Sequence, residues 1–392
     1  MARITQLAEV GGAFLKLGTT SFGGPIAHLG YIRAECVERR RWLDDDAYAD
    51  LVALCQFLPG PTSSQVVYAI GLQRAGIGGA LAASLAFLMP SALAMIGFAY
   101  GVARVADLRA AGWLHGLKLA AVAVVAQAVW AMGVKLCPDR PRRTLALLAA
   151  AILLVVPSAL VQVAVLAAGA VAGIGLGRRG PRTDPEALPG RVRGHLGAAL
   201  ALAVFALLLL VRHVLPPARP VLVFDAFYRA GALVFGGGHV VLPLLREALV
   251  PRGWLGDDAF LAGYGAAQAV PGPLFSFAGY LGTVIHGGPD GWKGGVLCLV
   301  AIFLPSWLLI AGALPFWSVL RTRAWMQAAL RGANAAVVGV LLAALYTPVI
   351  TEGIHGPRDV AAALVAFGLL EVLRAPPWSV VLLCAAAGQW AP

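Results

Sequence analysis

Charged residues are rare inside the apolar sequence of this chain, so the few that occur there stand out. Lys16 and Arg229 each sit in an apolar stretch, five or six residues before a glycine-rich break. The break is Ser21-Phe22-Gly23-Gly24-Pro25 after the lysine and Phe235-Gly236-Gly237-Gly238 after the arginine. Second breaks follow. Pro59-Gly60-Pro61 leads into Thr62, Ser63 and Ser64, and Pro271-Gly272-Pro273 leads into Leu274, Phe275 and Ser276. Glycine and proline interrupt helices, and a helix that restarts after a break presents free N–H groups worth about half a positive charge. With hydroxyl donors and two cations added, this is chemistry for holding an oxyanion rather than for making bonds. The arginine fork can bond two oxyanion oxygens, while lysine acts as a point charge. His28 and His239, just after the first breaks, could carry protons. Simpler roles compete: glycines that let helices approach, basic side chains that snorkel and anchor helix ends, and histidines that only pack. Lys118, with His115 one turn before it, reads equally as a snorkelling lysine or a ligand.

These residues are carried by a chain of 392 residues, 60% hydrophobic and only 12% charged, with a mean hydropathy of +0.81. Apolar runs occupy 77–103, 112–134, 144–177, 196–211, 296–320, 333–351, 360–370 and 378–391. Several reach the ~20 residues that a helix needs to cross a bilayer. The N-terminus lacks the pattern of a cleaved signal, so residue 1 is expected to stay. Cys36, Cys55, Cys137, Cys298 and Cys384 are far apart and form no Cys-x-x-Cys pair, which supports neither a metal site nor a disulfide framework. No cofactor is implied. Asp44-Asp45-Asp46 stands at a loop–helix junction and reads as a cap rather than a metal ligand set. With neither DDxxD nor HExxH in the chain, a membrane-embedded enzyme acting on lipid phosphates is a weak alternative. The net charge of +11 suits basic cytoplasmic loops. The basic residues are not interleaved with aromatics, so no nucleic-acid partner is expected.

The sequence is written twice. Phe14, Lys16 and Gly18 match Phe227, Arg229 and Gly231, Phe22-Gly23-Gly24 matches Phe235-Gly236-Gly237, and Arg33 matches Arg246. Further on, Trp42-Leu43 matches Trp254-Leu255, and Asp45-Asp46-Ala47 matches Asp257-Asp258-Ala259. Gln56, Ser64 and Tyr68 match Gln268, Ser276 and Tyr280, and Pro90-Ser91 matches Pro305-Ser306. The chain divides into repeats at 1–177 and 221–392, with a basic linker and an extra apolar segment in 178–220. Treating 4–38, 47–73, 221–250 and 259–284 as re-entrant pairs of short helices puts 19 basic residues on one side and 8 on the other. The richer side, with 33–46 and 178–195, is then cytoplasmic, and 246–258 faces outside. The extra segment 196–211 inverts the second repeat. The expected fold is an all-α polytopic membrane protein, with inverted repeats whose broken or re-entrant helices meet near the membrane midplane. Segment 4–20 is long for half a bilayer, and a slanted full span is the alternative there.

The stretches SFGGPIAHLGYIR, RRRWLDDDAY, QFLPGPTSSQ and FLMPS, with FGGGHVVLPLLR and QAVPGPLFSFAGY in the second half, resemble the chromate ion transporter (CHR) family in its long two-repeat form. The resemblance covers essentially the whole chain. It implies a secondary transporter that exports chromate across the inner membrane, as a proton-coupled carrier or an anion antiporter, and so confers chromate resistance. Sulfate or a related tetrahedral oxyanion is the alternative cargo. His239 departs from the family pattern, which more often has an aromatic there. The expected substrate-binding residues are Lys16, Ser21, Gly23, Gly24, His28, Gly60, Thr62, Ser63, Ser64, Arg229, Gly236, Gly237, His239, Gly272 and Ser276. The expected partners are the oxyanion and the lipid bilayer. A homodimer is compatible with the chain, which does not itself fix the oligomeric state.

Overall fold

The structure, a computed structural model, describes residues 2–22, 24–104, 112–176, 195–234, 240–289, 291–317 and 323–390. Most of the basic linker 178–195 therefore lies outside the described residues. The described residues form helices and no strand. Helices α1 (Ala2–Thr20) and α2 (Gly24–Arg33) flank the first break, and α2 runs on into a π turn, Ala34–Arg39. Helices α3 (Asp45–Phe57) and α4 (Thr62–Val102) flank the second. Then come α5 (Gly112–Leu136), α6 (Arg140–Val155), α7 (Ala159–Gly175), the extra helix α8 (His195–Leu208) and a short turn α9 (Val211–Val214). The second repeat follows the same order: α10 (Arg219–Leu233), α11 (Val241–Leu249), α12 (Asp257–Ala269), α13 (Phe277–Val284), α14 (Trp292–Ala313), α15 (Ala324–Ala344), α16 (Pro357–Glu371) and α17 (Pro377–Trp390). Four apolar helices, Thr62–Val102, Gly112–Leu136, Trp292–Phe316 and Ala324–Gly353, are long enough to cross a membrane.

Local chemistry sets the boundaries. Asp44 caps α3, its carboxylate accepting the Ala47 N–H at 2.7 Å. Asp139 caps α6 in the same way through the Arg142 N–H at 3.0 Å, and the Arg142 guanidinium bonded to it holds the carboxyl below the usual range. The apolar run 144–177 is cut at Pro157-Ser158 into α6 and α7. Helix α4 is a hairpin rather than a rod. Its backbone leaves helical geometry at Ala75 and Gly76, and the chain folds back so tightly that a Cβ on Gly71 would lie 2.4 Å from the Gly79 carbonyl oxygen. Helices α13 and α14 repeat this contact through Gly282 and Gly294, at 2.3 Å.

The first segment of each repeat is re-entrant. Arg40, beyond the π turn, returns to Glu9 on α1 at 3.2 Å, and Lys16 faces Glu35 at 3.5 Å. Arg74, at the tip of the α4 hairpin, reaches the same Glu9 at 3.9 Å. Arg40 and Arg74 each stack on the Trp42 ring at 5.1 Å. The start of α1, the 40–46 loop and the α4 tip therefore share one end of the molecule. Residues before Glu9 reach past that polar rim, which accounts for the length of segment 4–20. The second repeat gathers its loops in the same way. Arg219 and Arg252 stack on Trp254 at 4.0 and 5.2 Å, and Arg219 donates to the His286 carbonyl at 2.6 Å. The repeated ion pairs Arg33–Asp45 and Arg246–Asp257 pin the corresponding loops.

One contact orients the repeats. The Trp292 N–H, beside the loops of the second repeat, donates to the Tyr100 hydroxyl at 2.9 Å. Tyr100 is at the far end of α4 from Arg74, so the two sets of loops occupy opposite ends and the repeats are inverted. The later helices are exchanged between halves. Helix α5 packs on α16 and α17, and α15 packs on α6 and α7. These contacts are backbone-close through small residues: Gly112 and Gly116 face Gly388 and Cys384, and Gly169 and Gly173 face Gly332.

Candidate functional site

The four breaks are joined in crossed pairs. The Gly60 N–H, in the second break of the first repeat, donates to the Val234 carbonyl, in the first break of the second repeat, at 2.7 Å. The Gly272 N–H donates to the Ser21 carbonyl, the matching position in the first repeat, at 2.9 Å. Gly60 and Gly272 have φ of 126° and 97°, a region that side chains with a Cβ avoid. Each is covered by the serine of the other half's Pro-Ser pair. A Cβ on Gly60 would lie 2.1 Å from Ser306 Oγ, and one on Gly272 would lie 3.0 Å from Ser91 Oγ. Ser91 stands near the middle of the 77–102 arm, ~20 Å from either end at 1.5 Å per residue, so the breaks meet about halfway along the spans. Backbone outside a helix survives at that depth only inside protein or beside a wet cavity.

The polar groups around the crossing are short of partners. Ser21 Oγ, Ser64 Oγ, Gln65 Oε1 and Ser306 Oγ are buried and find no hydrogen-bond partner among the described residues. Gln268 Nε2, the repeat counterpart of a first-half glutamine, is in the same position. Gln65 uses its Nε2 to hold the Pro59 carbonyl at 2.7 Å. A buried polar group left unpaired costs about 1–3 kcal/mol, so several at one place call for something polar that binds there. His28, 1% exposed, closes one wall. Its Nε2 lies 3.2 Å from the Ser21 carbonyl, which can only accept, so that nitrogen carries the proton. Nδ1 is left to accept from the Ser63 hydroxyl at 3.5 Å. The imidazole is thus held at both nitrogens.

The sequence profile described as "Chromate transporter" matches residues 8–174 and again 221–389. The chain belongs to the chromate transporter family. Among similar proteins is a chromate transport protein of Pseudomonas aeruginosa, 31% identical over 336 residues, covering 84% of this chain and 77% of that one. A chromate transport protein of Cupriavidus metallidurans is 27% identical over 366 residues, covering 92% and 86%. An uncharacterised transporter of Methanocaldococcus jannaschii is 25% identical over 340 residues, covering 84% and 81%. No solved structure matches the chain.

In this family member the structure brings Ser21, His28, Gly60, Ser63, Ser64 and Gly272 to the crossing. Ser276 is buried in the turn Leu274–Ser276 that follows Gly272, Thr62 opens α4, and Gly24 opens α2 with φ 76°. Gly23, Gly236, Gly237 and His239 lie outside the described residues. Lys16 and Arg229 are engaged elsewhere. Lys16 joins Arg39 and Arg40 around the buried Glu35 carboxylate. Arg229 bonds Asp225 at 2.7 Å and the Leu209 carbonyl after α8. Lys118 does not snorkel; it is buried and paired with Asp258 at the start of α12. The spacing of the site motifs did not single out Ser91, Ser306 or Gln65. The first two carried a usable signal, since Pro90-Ser91 and Pro305-Ser306 are repeat equivalents.

Proposed function

We propose that this chain is a secondary transporter that exports chromate across the inner membrane, with the anion bound at the crossed breaks. The observation that carries this is the set of buried, unpartnered hydroxyls of Ser21, Ser64 and Ser306 beside the bonds Gly60–Val234 and Gly272–Ser21. The naming of the Pseudomonas aeruginosa and Cupriavidus metallidurans relatives supplies the cargo. A tetrahedral dianion accepts from hydroxyls and helix-start amides at once, and Thr62, Ser63 and Ser64 open a helix at the break. Gly23, Gly24, Gly236, Gly237, His239 and Ser276 belong to the same proposed lining. Lys16 and Arg229 precede the breaks in each half and, each paired with a carboxylate, contribute long-range positive potential to the site rather than direct contacts. Transport is energised by a proton or by a counter-anion.

Inside-out vesicles supplied with labelled chromate in the external medium test this. Chromate should accumulate under an imposed pH gradient or against a trapped anion, and Ser21→Ala with Ser306→Ala should slow it severalfold. Accumulation no faster than in vesicles lacking the protein would overturn the proposal. Sulfate that competes as well as unlabelled chromate would move the assignment to oxyanions generally, and molybdate serves as the larger tetrahedral competitor.

A further inference from the structure

We propose a binding site for a divalent transition-metal ion made by His115, His355 and Asp359. The three come from different parts of the chain: His115 from the first turns of α5, Asp359 from the first turn of α16, and His355 from the loop before it. Their ligand atoms all lie within 4.8 Å of one another. His115 Nε2 is 2.8 Å from Asp359 Oδ1, and His355 Nδ1 is 4.0 Å from Asp359 Oδ2. Two imidazoles and a carboxylate are a borderline donor set, suited to zinc, nickel or copper and poor for magnesium or calcium.

The geometry needs little change to close on an ion. Ligand bonds of about 2.0–2.1 Å at tetrahedral angles put ligand atoms roughly 3.3 Å apart. His115 and Asp359 would open by about half an ångström. The His355 side chain is 62% exposed and free to turn inward. Asp359 is already held in place, because its Oδ2 accepts the N–H groups of His355 at 2.8 Å and Gly356 at 3.2 Å. Such second contacts orient a ligating carboxylate. Lys118, one turn along α5, is committed to Asp258 and does not compete for Asp359.

An ion here would tie α5, from the first repeat, to α16, from the second, at the end that carries the loops of the second repeat. Lys118 links that same stretch of α5 to α12, which runs to the Gly272 break. Metal binding should therefore restrain the movement of one half against the other.

The test uses the full-length purified protein without a polyhistidine tag, titrated with zinc chloride by calorimetry. One ion per chain is expected, with at least about tenfold weaker binding in His115→Ala and in His355→Ala. His355 is exposed, so its variant retains the fold even where that of His115 does not. Zinc should also slow anion transport in vesicles of the parent protein but not of His355→Ala. The proposal is overturned by an absence of saturable binding, by unchanged binding in His355→Ala, or by magnesium binding as well as zinc.

Discussion

At the scale of single residues, a group with no protein partner and a group with a charged partner behave oppositely when removed. Ser21, Ser64 and Ser306 donate their hydroxyls to no described group, so Ser306→Ala breaks no internal hydrogen bond and should leave thermal unfolding in detergent within a degree or two, while chromate transport falls. A large loss of stability with normal transport would show the hydroxyl to be structural. Arg229 is the reverse case. Its guanidinium bonds Asp225, whose side chain is only 7% exposed. Arg229→Gln leaves that carboxylate with only the more distant Arg212, at 4.0 Å, so the cost should fall below the roughly 3–5 kcal/mol of a fully broken buried pair, the more so because the arginine is partly exposed. Arg229→Gln with Asp225→Asn should recover most of the stability, and a double mutant as unstable as the single would break the argument. The sequence marked Arg229 as unusual because a charge in an apolar run is unusual. It could not show Asp225 as the partner in preference to an anion, since both satisfy a guanidinium.

At the scale of elements, the glycines fall into two kinds that composition does not separate. Gly116 lies where α5 touches α17, and a Cβ there would sit 2.0 Å from the Cys384 carbonyl oxygen. Gly97, in the outer arm of α4, has open space around it. Gly116→Ala should therefore reduce the yield of folded protein sharply, because two backbones cannot part without moving both helices. Gly97→Ala should be neutral or stabilise by about 0.5–1 kcal/mol through chain entropy. Unfolding temperatures of the two variants decide it, and equal effects would remove the distinction. The breaks themselves were legible, since glycine beside proline interrupts helices at the same place in both repeats, and the Asp44 cap followed from its position before α3. The exchange of α5 and α15 between halves was not. Two homologous repeats offer each helix two equivalent partners in sequence, and only three-dimensional packing chooses between them. Between a re-entrant course and a slanted span for segment 4–20 the sequence does not choose, for a related reason. Helix propensity carries no signal for the membrane edge, and the pairing that fixes it, Glu9 with Arg40, spans 31 residues of sequence.

At the scale of the whole molecule, inversion of the repeats is what brings breaks from both ends to one depth. Trp42 and Trp254 are repeat equivalents, each stacked under two arginines, yet the Tyr100–Trp292 contact puts them at opposite ends. Arg41 and Arg252 are exposed beside these tryptophans. The end that carries Arg41 also carries Arg33, Arg39, Arg40 and Arg74, and α6 opens with Arg140, Arg142 and Arg143. Positive charge in short loops tends to stay in the cytoplasm, which predicts Arg41 inside and Arg252 outside. Of the native cysteines, Cys36, Cys55, Cys137 and Cys298 are buried, so a membrane-impermeant maleimide has little background to overcome once Cys384 is replaced. In intact cells Arg252→Cys should label promptly and Arg41→Cys only after the membrane is opened. Labelling of both from outside would contradict the inversion. Labelling of Arg41→Cys alone would keep the inversion but turn the protein over, with the His115, His355 and Asp359 cluster then facing the cytoplasm.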